Sequence, residues 1–136
     1  MRALLFILVS LGGGLVFANV TPATNDIADI NQCDKDAITT IQLQSCGEAK
    51  YAYYDAMLNA QYNKLSALLA DDDKPVLADA ERAWIDFRNK ECLFKSLENK
   101  GGSIQPLTSI NCYSELSQQR SQALQAYIIF YQGDKK

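Results

Sequence analysis

Four cysteines, Cys33, Cys46, Cys92 and Cys112, constrain this chain more than any other feature, because it has no histidine to share a metal with them. All four follow an apolar N-terminus, MRALLFILVSLGGGLVFA, which carries one basic residue, Arg2, and closes on Val16-Phe17-Ala18. A short apolar run behind a positive charge, ending in small residues, reads as a secretory signal peptide over residues 1–18. It is too short, and too poor in basic residues on its far side, to read as a retained anchor. No later stretch is long and apolar enough to span a bilayer, so no membrane contact is expected after cleavage. An even number of cysteines delivered to an oxidising compartment, periplasmic or extracellular, predicts two disulfides. A zinc site is disfavoured, since no close Cys-x-x-Cys pair accompanies the missing histidines. No metal and no cofactor are expected.

Cleavage after Ala18 leaves 118 residues, the size of one domain. That part carries 12 basic and 16 acidic side chains, a net charge of −4. An acidic surface argues against nucleic acid and anionic membrane as partners and suits a basic protein.

Residues 19–38 are polar and mixed and read as an N-terminal arm, ordered mainly near Cys33. Residues 39–132 read as a helical domain. Thr39 or Thr40 can cap the first helix, with Gln42 or Gln44 completing a capping box. Tyr51, Asp55, Leu58, Tyr62, Leu65 and Leu69 then recur at steps of three or four, as on one helix face. Asp71-Asp72-Asp73 ends that helix. The three carboxylates lack the glycine and distal glutamate of a calcium loop, and Asp73 before Lys74-Pro75 reads as a helix cap. The second helix shows Leu77, Ala80, Trp84, Phe87, Glu91 and Phe94 at the same spacing and fades at Asn99-Lys100-Gly101-Gly102. The third carries Tyr113, Leu116, Arg120, Leu124, Tyr127 and Tyr131. The expected fold is therefore all-α, an up-down-up three-helix bundle with two disulfides. Its tyrosines and Trp84 are expected as core packing.

In that topology all four cysteines lie toward one end, and geometry alone leaves their pairing open. The pairs Cys33–Cys46 and Cys92–Cys112 are favoured because each closes a local loop. The segment AERAWIDFRNKEC, residues 80–92, concentrates charge beside the only tryptophan. Arg88 and Glu91, at i and i+3, can pair along their helix, and Asp55 and Arg120 hold stripe positions on the other two. A partly buried charged cluster of Asp55, Arg88, Glu91 and Arg120 beside Trp84 is expected, its two positive and two negative groups neutralising one another. Glu91 or Asp55 as a general base lacks support, because no nucleophile motif, phosphate loop or metal-ligand spacing accompanies them. The chain does not read as an enzyme.

These residues carry a family resemblance. Cys33 and Cys46, then YDAMLNAQYNKL with Asp55, Leu58, Asn59 and Tyr62, then AERAWIDFRNKEC, Gly101-Gly102-Ser103, Cys112 and ELSQQR resemble the lysozyme inhibitor LprI N-terminal-domain family of small exported bacterial proteins. The likeness covers nearly all of residues 33–127. Glu81 departs from it, since the family often has glutamine there. The resemblance implies a helical periplasmic or secreted protein, supports the local disulfide pairing, and implies lysozyme inhibition as the family's named activity. It carries over no inhibitory residue. An acidic bundle would be steered to a basic lysozyme, and Lys100-Gly101-Gly102-Ser103 is the candidate loop for its cleft. The same four residues read more simply as a helix closure and connector. The alternative role is a structural or interaction protein of the cell envelope that leaves lysozyme untouched.

Overall fold

The computed structural model describes residues 24–133; the signal peptide expected over residues 1–18 and the first residues of the expected arm lie outside them. Four α-helices follow in order: α1 over Thr24–Asp36, α2 over Thr40–Leu68, α3 over Lys74–Ser96 and α4 over Gln105–Gly133. A 3-10 turn, Leu97–Asn99, extends α3. No strand occurs among the described residues, and none of the helices there is long and apolar enough to cross a membrane.

The arm is thus corrected to a helix for most of its length, and three helices to four. Ile27, Ile30, Asp34 and Ala37 are its half-buried positions. They step by three or four, a pattern too short to stand out in a polar stretch. Helix α1 folds back along the first half of α2. Asp34 accepts a 2.5 Å hydrogen bond from Lys50 Nζ, and the Cys33–Cys46 disulfide closes the turn with Cα atoms 5.7 Å apart.

Helix α2 begins at a complete capping box. Thr39 Oγ1 accepts from the Gln42 backbone N–H, and Gln42 Oε1 accepts from the Thr39 N–H. Both otherwise orphaned donors are thereby satisfied. The helix runs about 43 Å at the standard rise beside α4, and the two point the same way. Gly47 abuts Ile110 and Asn111, and the Tyr51 and Tyr113 rings lie 5.6 Å apart. A β-carbon at Gly47 would come within 2.9 Å of Ile110 Cγ2, so the two backbones approach as closely as they do because position 47 has no side chain. Ser114, Ser117 and Ser121, all buried, keep the α4 side of this seam small. Farther along, the seam becomes aliphatic, with Leu58, Leu65, Leu124 and Ile128 packed together and flanked by Tyr62, Leu68, Leu77 and Trp84.

Helix α3 returns in the opposite direction and packs chiefly on α4. It starts after Asp73, whose side chain makes no capping bond; its carbonyl accepts from Val76 and Leu77. The cap expected there is therefore a backbone one. The exposed Asp71 carboxylate instead takes a 2.6 Å hydrogen bond from Lys74, which holds it below the usual carboxylate range. At the other end, Gly101 adopts φ +77°, the left-handed conformation that closes a helix with little strain only for glycine. The second disulfide, Cys92–Cys112, joins α3 to α4 with Cα atoms 5.4 Å apart.

In the chain-entropy model each loop closure stabilises by about 3 kcal/mol. Cys92 and Cys112 are both buried, whereas Cys33 is exposed, so the second pair also fills core volume. Replacing Cys92 and Cys112 together by alanine should lower the urea midpoint more than the same change at Cys33 and Cys46. The opposite ranking would mean that α1, and not the α3–α4 junction, limits the stability of the fold.

Candidate functional site

The face that α3 turns inward is set by Cys92, which must reach Cys112. Stepping back along the helix, Arg88, Trp84, Glu81 and Leu77 share that face. This rotates the expected stripe: Glu81 and Arg88 are buried, while Phe87 and Phe94 stand 52% and 70% exposed. The correction has a physical cause. The buried charges find partners on α2 and α4, and the phenylalanines fall on the opposite side of the same helix.

Arg88 is the hub. Its Nη1 donates to Asp55 Oδ1 on α2 at 3.0 Å and to Ser117 Oγ on α4 at 3.0 Å. Its guanidinium carbon lies 5.1 Å from the centroid of Trp84, 5.4 Å from Tyr113 and 5.7 Å from Tyr51. One ring thus comes from each of three helices, near enough for cation–π attraction. Tyr51 is half-buried here. Burial raises its phenol above the ordinary value of 10.0; the Arg88 charge opposes this, while Asp55 and Tyr113 add to it.

A second buried pair lies one turn away. Arg120 Nη2 approaches Glu81 Oε2 at 2.9 Å and Nε donates to the same oxygen at 3.0 Å. The Arg120 guanidinium also lies 5.8 Å from Trp84, so the indole contacts both cations. Of the residues expected to cluster, the structure therefore brings Asp55 and Arg88 together and sets Arg120 beside Trp84 with a different acid. Glu91 is corrected: it is exposed and takes no part. Glu81 holds the place assigned to it. The signal for Glu81 was available, since it lies seven residues before Arg88 and eleven before Cys92, on one helical face. Tyr127 is likewise corrected from core to surface, being 51% exposed, with Ile128 in the core instead.

The Lys100–Ser103 loop is exposed at all four residues and is held by its own bonds. The Gly101 N–H donates to Gln105 Oε1, the Gly102 N–H to the Asn99 carbonyl and the Gln105 N–H to the Gly102 carbonyl. Asn99 Nδ2 ties the turn to Thr108 Oγ1 at 2.9 Å. This is a short protrusion with a fixed backbone and a single basic side chain. Among the described residues no group of three or more His, Cys, Asp or Glu is arranged to hold a metal.

Comparison with known proteins follows the same residues. The model of the family described as lysozyme inhibitor LprI matches residues 33–124, spanning both disulfides, the Arg88 hub and the loop. The chain belongs to the LprI family. An uncharacterized protein of Rhizobium meliloti (strain 1021) is 29% identical to this LprI member over 103 residues, covering 66% of the chain and 74% of the relative. No solved structure matches it.

Removing one partner of a fully buried ion pair costs about 3–5 kcal/mol, but the Asp55 side chain is 36% exposed and can be rehydrated, which brings the expected loss down to about 1–3 kcal/mol. Arg88→Ala should fall in that range in urea unfolding, whereas Glu91→Gln should stay within about 0.5 kcal/mol of the parent, as exposed substitutions do. A neutral Arg88→Ala would remove the hub from the account of stability. The Tyr51 phenol, raised in the folded state, contributes stability that is present below pH 10.0 and lost as pH rises through the folded value. Tyr51→Phe should therefore show a shallower alkaline decline in unfolding midpoint than the parent. Identical declines would place the alkaline sensitivity elsewhere.

Proposed function

We propose that this protein is an exported, non-enzymatic inhibitor of lysozyme. The observation that carries the reading is the family match over residues 33–124. Physical features support it. The expected mature chain is acidic, and an acidic protein is drawn to a basic one by long-range attraction that fades with salt. The fold is stapled by two disulfides, so the ordering cost of association is low.

Within this reading the Lys100–Ser103 loop is the contact element. Lysozyme works with a carboxylate pair flanking the scissile glycosidic bond, and Lys100 at the tip of a preorganised turn is a suitable counter-charge for that cleft. Its neighbours Leu97 and Ile104 are 47% and 46% exposed, which offers apolar surface beside the basic tip.

Titrating the purified protein into lysozymes of several types should slow lysis of cell-wall suspensions, more weakly at high salt. Lys100→Glu should weaken inhibition at least about tenfold without shifting the unfolding midpoint. Inhibition that survives Lys100→Glu would move the contact to another face. If no lysozyme is inhibited or bound, the reading fails in favour of an envelope structural or interaction protein.

A further inference from the structure

With Glu81, Arg88 and Cys92 facing inward, α3 presents a second stripe to solvent. From Val76, steps alternating four and three land on Ala80, Ala83, Phe87, Lys90, Phe94 and Leu97. All seven positions are exposed, and every one except Lys90 is apolar. This is the heptad spacing that keeps one helix face against another helix, here along nearly the whole of α3; at its start Val76 and Ala80 also border a groove lined by Leu65 of α2 and Tyr127 of α4. A charged face was available at no cost in packing, so the apolar stripe points to an occupant.

We propose that the occupant is a second copy of this chain, docked antiparallel through α3 about a two-fold axis at Phe87. The residue sizes support this register. Antiparallel pairing centred there sets Phe94 against Ala80, Lys90 against Ala83, and Val76 against Leu97, with Phe87 meeting its own symmetry mate. In the two layers that flank the axis a long side chain faces an alanine, and only the layer at Phe87 sets a large side chain against its own copy, a self-complementarity that an isologous interface requires. In a parallel pairing each residue would meet its own copy, stacking Phe94 on Phe94 and Lys90 on Lys90. The Lys90 ammonium keeps a partner throughout, since Asp86 accepts its hydrogen bond at 2.7 Å, and its stem can cover Ala83. Val76, Phe87, Phe94 and Leu97 are 47–70% exposed. Covering the stripe on both copies removes on the order of 1,000 Å² from water, where specific interfaces begin. The stripe excludes the Lys100–Ser103 loop and shares with the inhibitory reading only Leu97, at its end, so variants at Phe87 and Phe94 test this interface separately from that reading.

Sedimentation equilibrium of the purified protein over a wide concentration range should show reversible doubling of the chain mass. Phe87→Glu and Phe94→Glu should each raise the dimer dissociation constant at least about tenfold, with helical content and unfolding midpoint of the monomer unchanged. Under mild oxidation, Phe87→Cys should cross-link to its own copy, while Phe94→Cys should cross-link only when mixed with Ala80→Cys. A monomer at every concentration overturns the proposal, as does a dimer indifferent to both glutamates or a Phe94→Cys chain that links to itself. A monomer whose Phe87→Glu variant loses lysozyme binding also overturns it, by assigning the face to that partner.

Discussion

A single buried guanidinium, that of Arg88, holds the three long helices in register. A cation withdrawn from water is stable only where its charge finds partners, and Arg88 meets this through Nη1, its buried Nε having no hydrogen-bond partner among the described residues. Arg88 takes its carboxylate and one ring from α2, a hydroxyl and another ring from α4, and the indole from its own helix. If either neighbouring helix slid by a turn, a charge would be left unpaired in a region that excludes water. An aliphatic seam has no comparable penalty for slippage, because one leucine contact can replace another. The Arg120–Glu81 pair repeats the device one turn away, and Trp84 contacts both cations.

Around that point the molecule divides its means of stabilisation by region. Toward Gly47 and Ser114 the α2–α4 seam is thin, and small residues let the backbones close up. The two disulfides stand at this end, where little apolar volume is available. Toward Leu65 and Ile128 the seam is aliphatic and needs no cross-link. Helix α1 braces the thin end through the Lys50–Asp34 bridge and the Cys33–Cys46 bond. Helix α3 turns two charges, Glu81 and Arg88, inward beside Leu77, Trp84 and Cys92, and leaves Phe87 and Phe94 outside among its other charged residues, a partial departure from the usual amphipathic arrangement. The side chains that fasten α3 to α4 are the ones that turn Phe87 and Phe94 toward solvent.

Much of the architecture was legible before any coordinates. The capping box at Thr39 and Gln42, the turn at Gly101 and the α2 stripe are local signals, each decided by neighbours within a few residues. The disulfide pairing is local as well, since each bond closes a short loop. Helix α1 was missed because its inward positions Ile27, Ile30 and Asp34 are scattered through a polar segment. The face of α3 was missed because burial was ranked by hydropathy, which places Phe87 and Phe94 inside and Glu81 outside. The buried serines of α4 went unread for the same reason: their value is small size, and no hydropathy scale rewards it.

The amino-acid order alone determined that the chain would be helical, where α2 begins and where α3 closes, and it favoured local pairing of the four cysteines. These follow from backbone propensity, capping and loop closure, which act over short stretches. Only the tertiary structure decided which face of α3 turns inward and which acid neutralises each arginine. Those outcomes depend on where charges on separate helices meet, and a buried charge is stable or ruinous according to a partner tens of residues away.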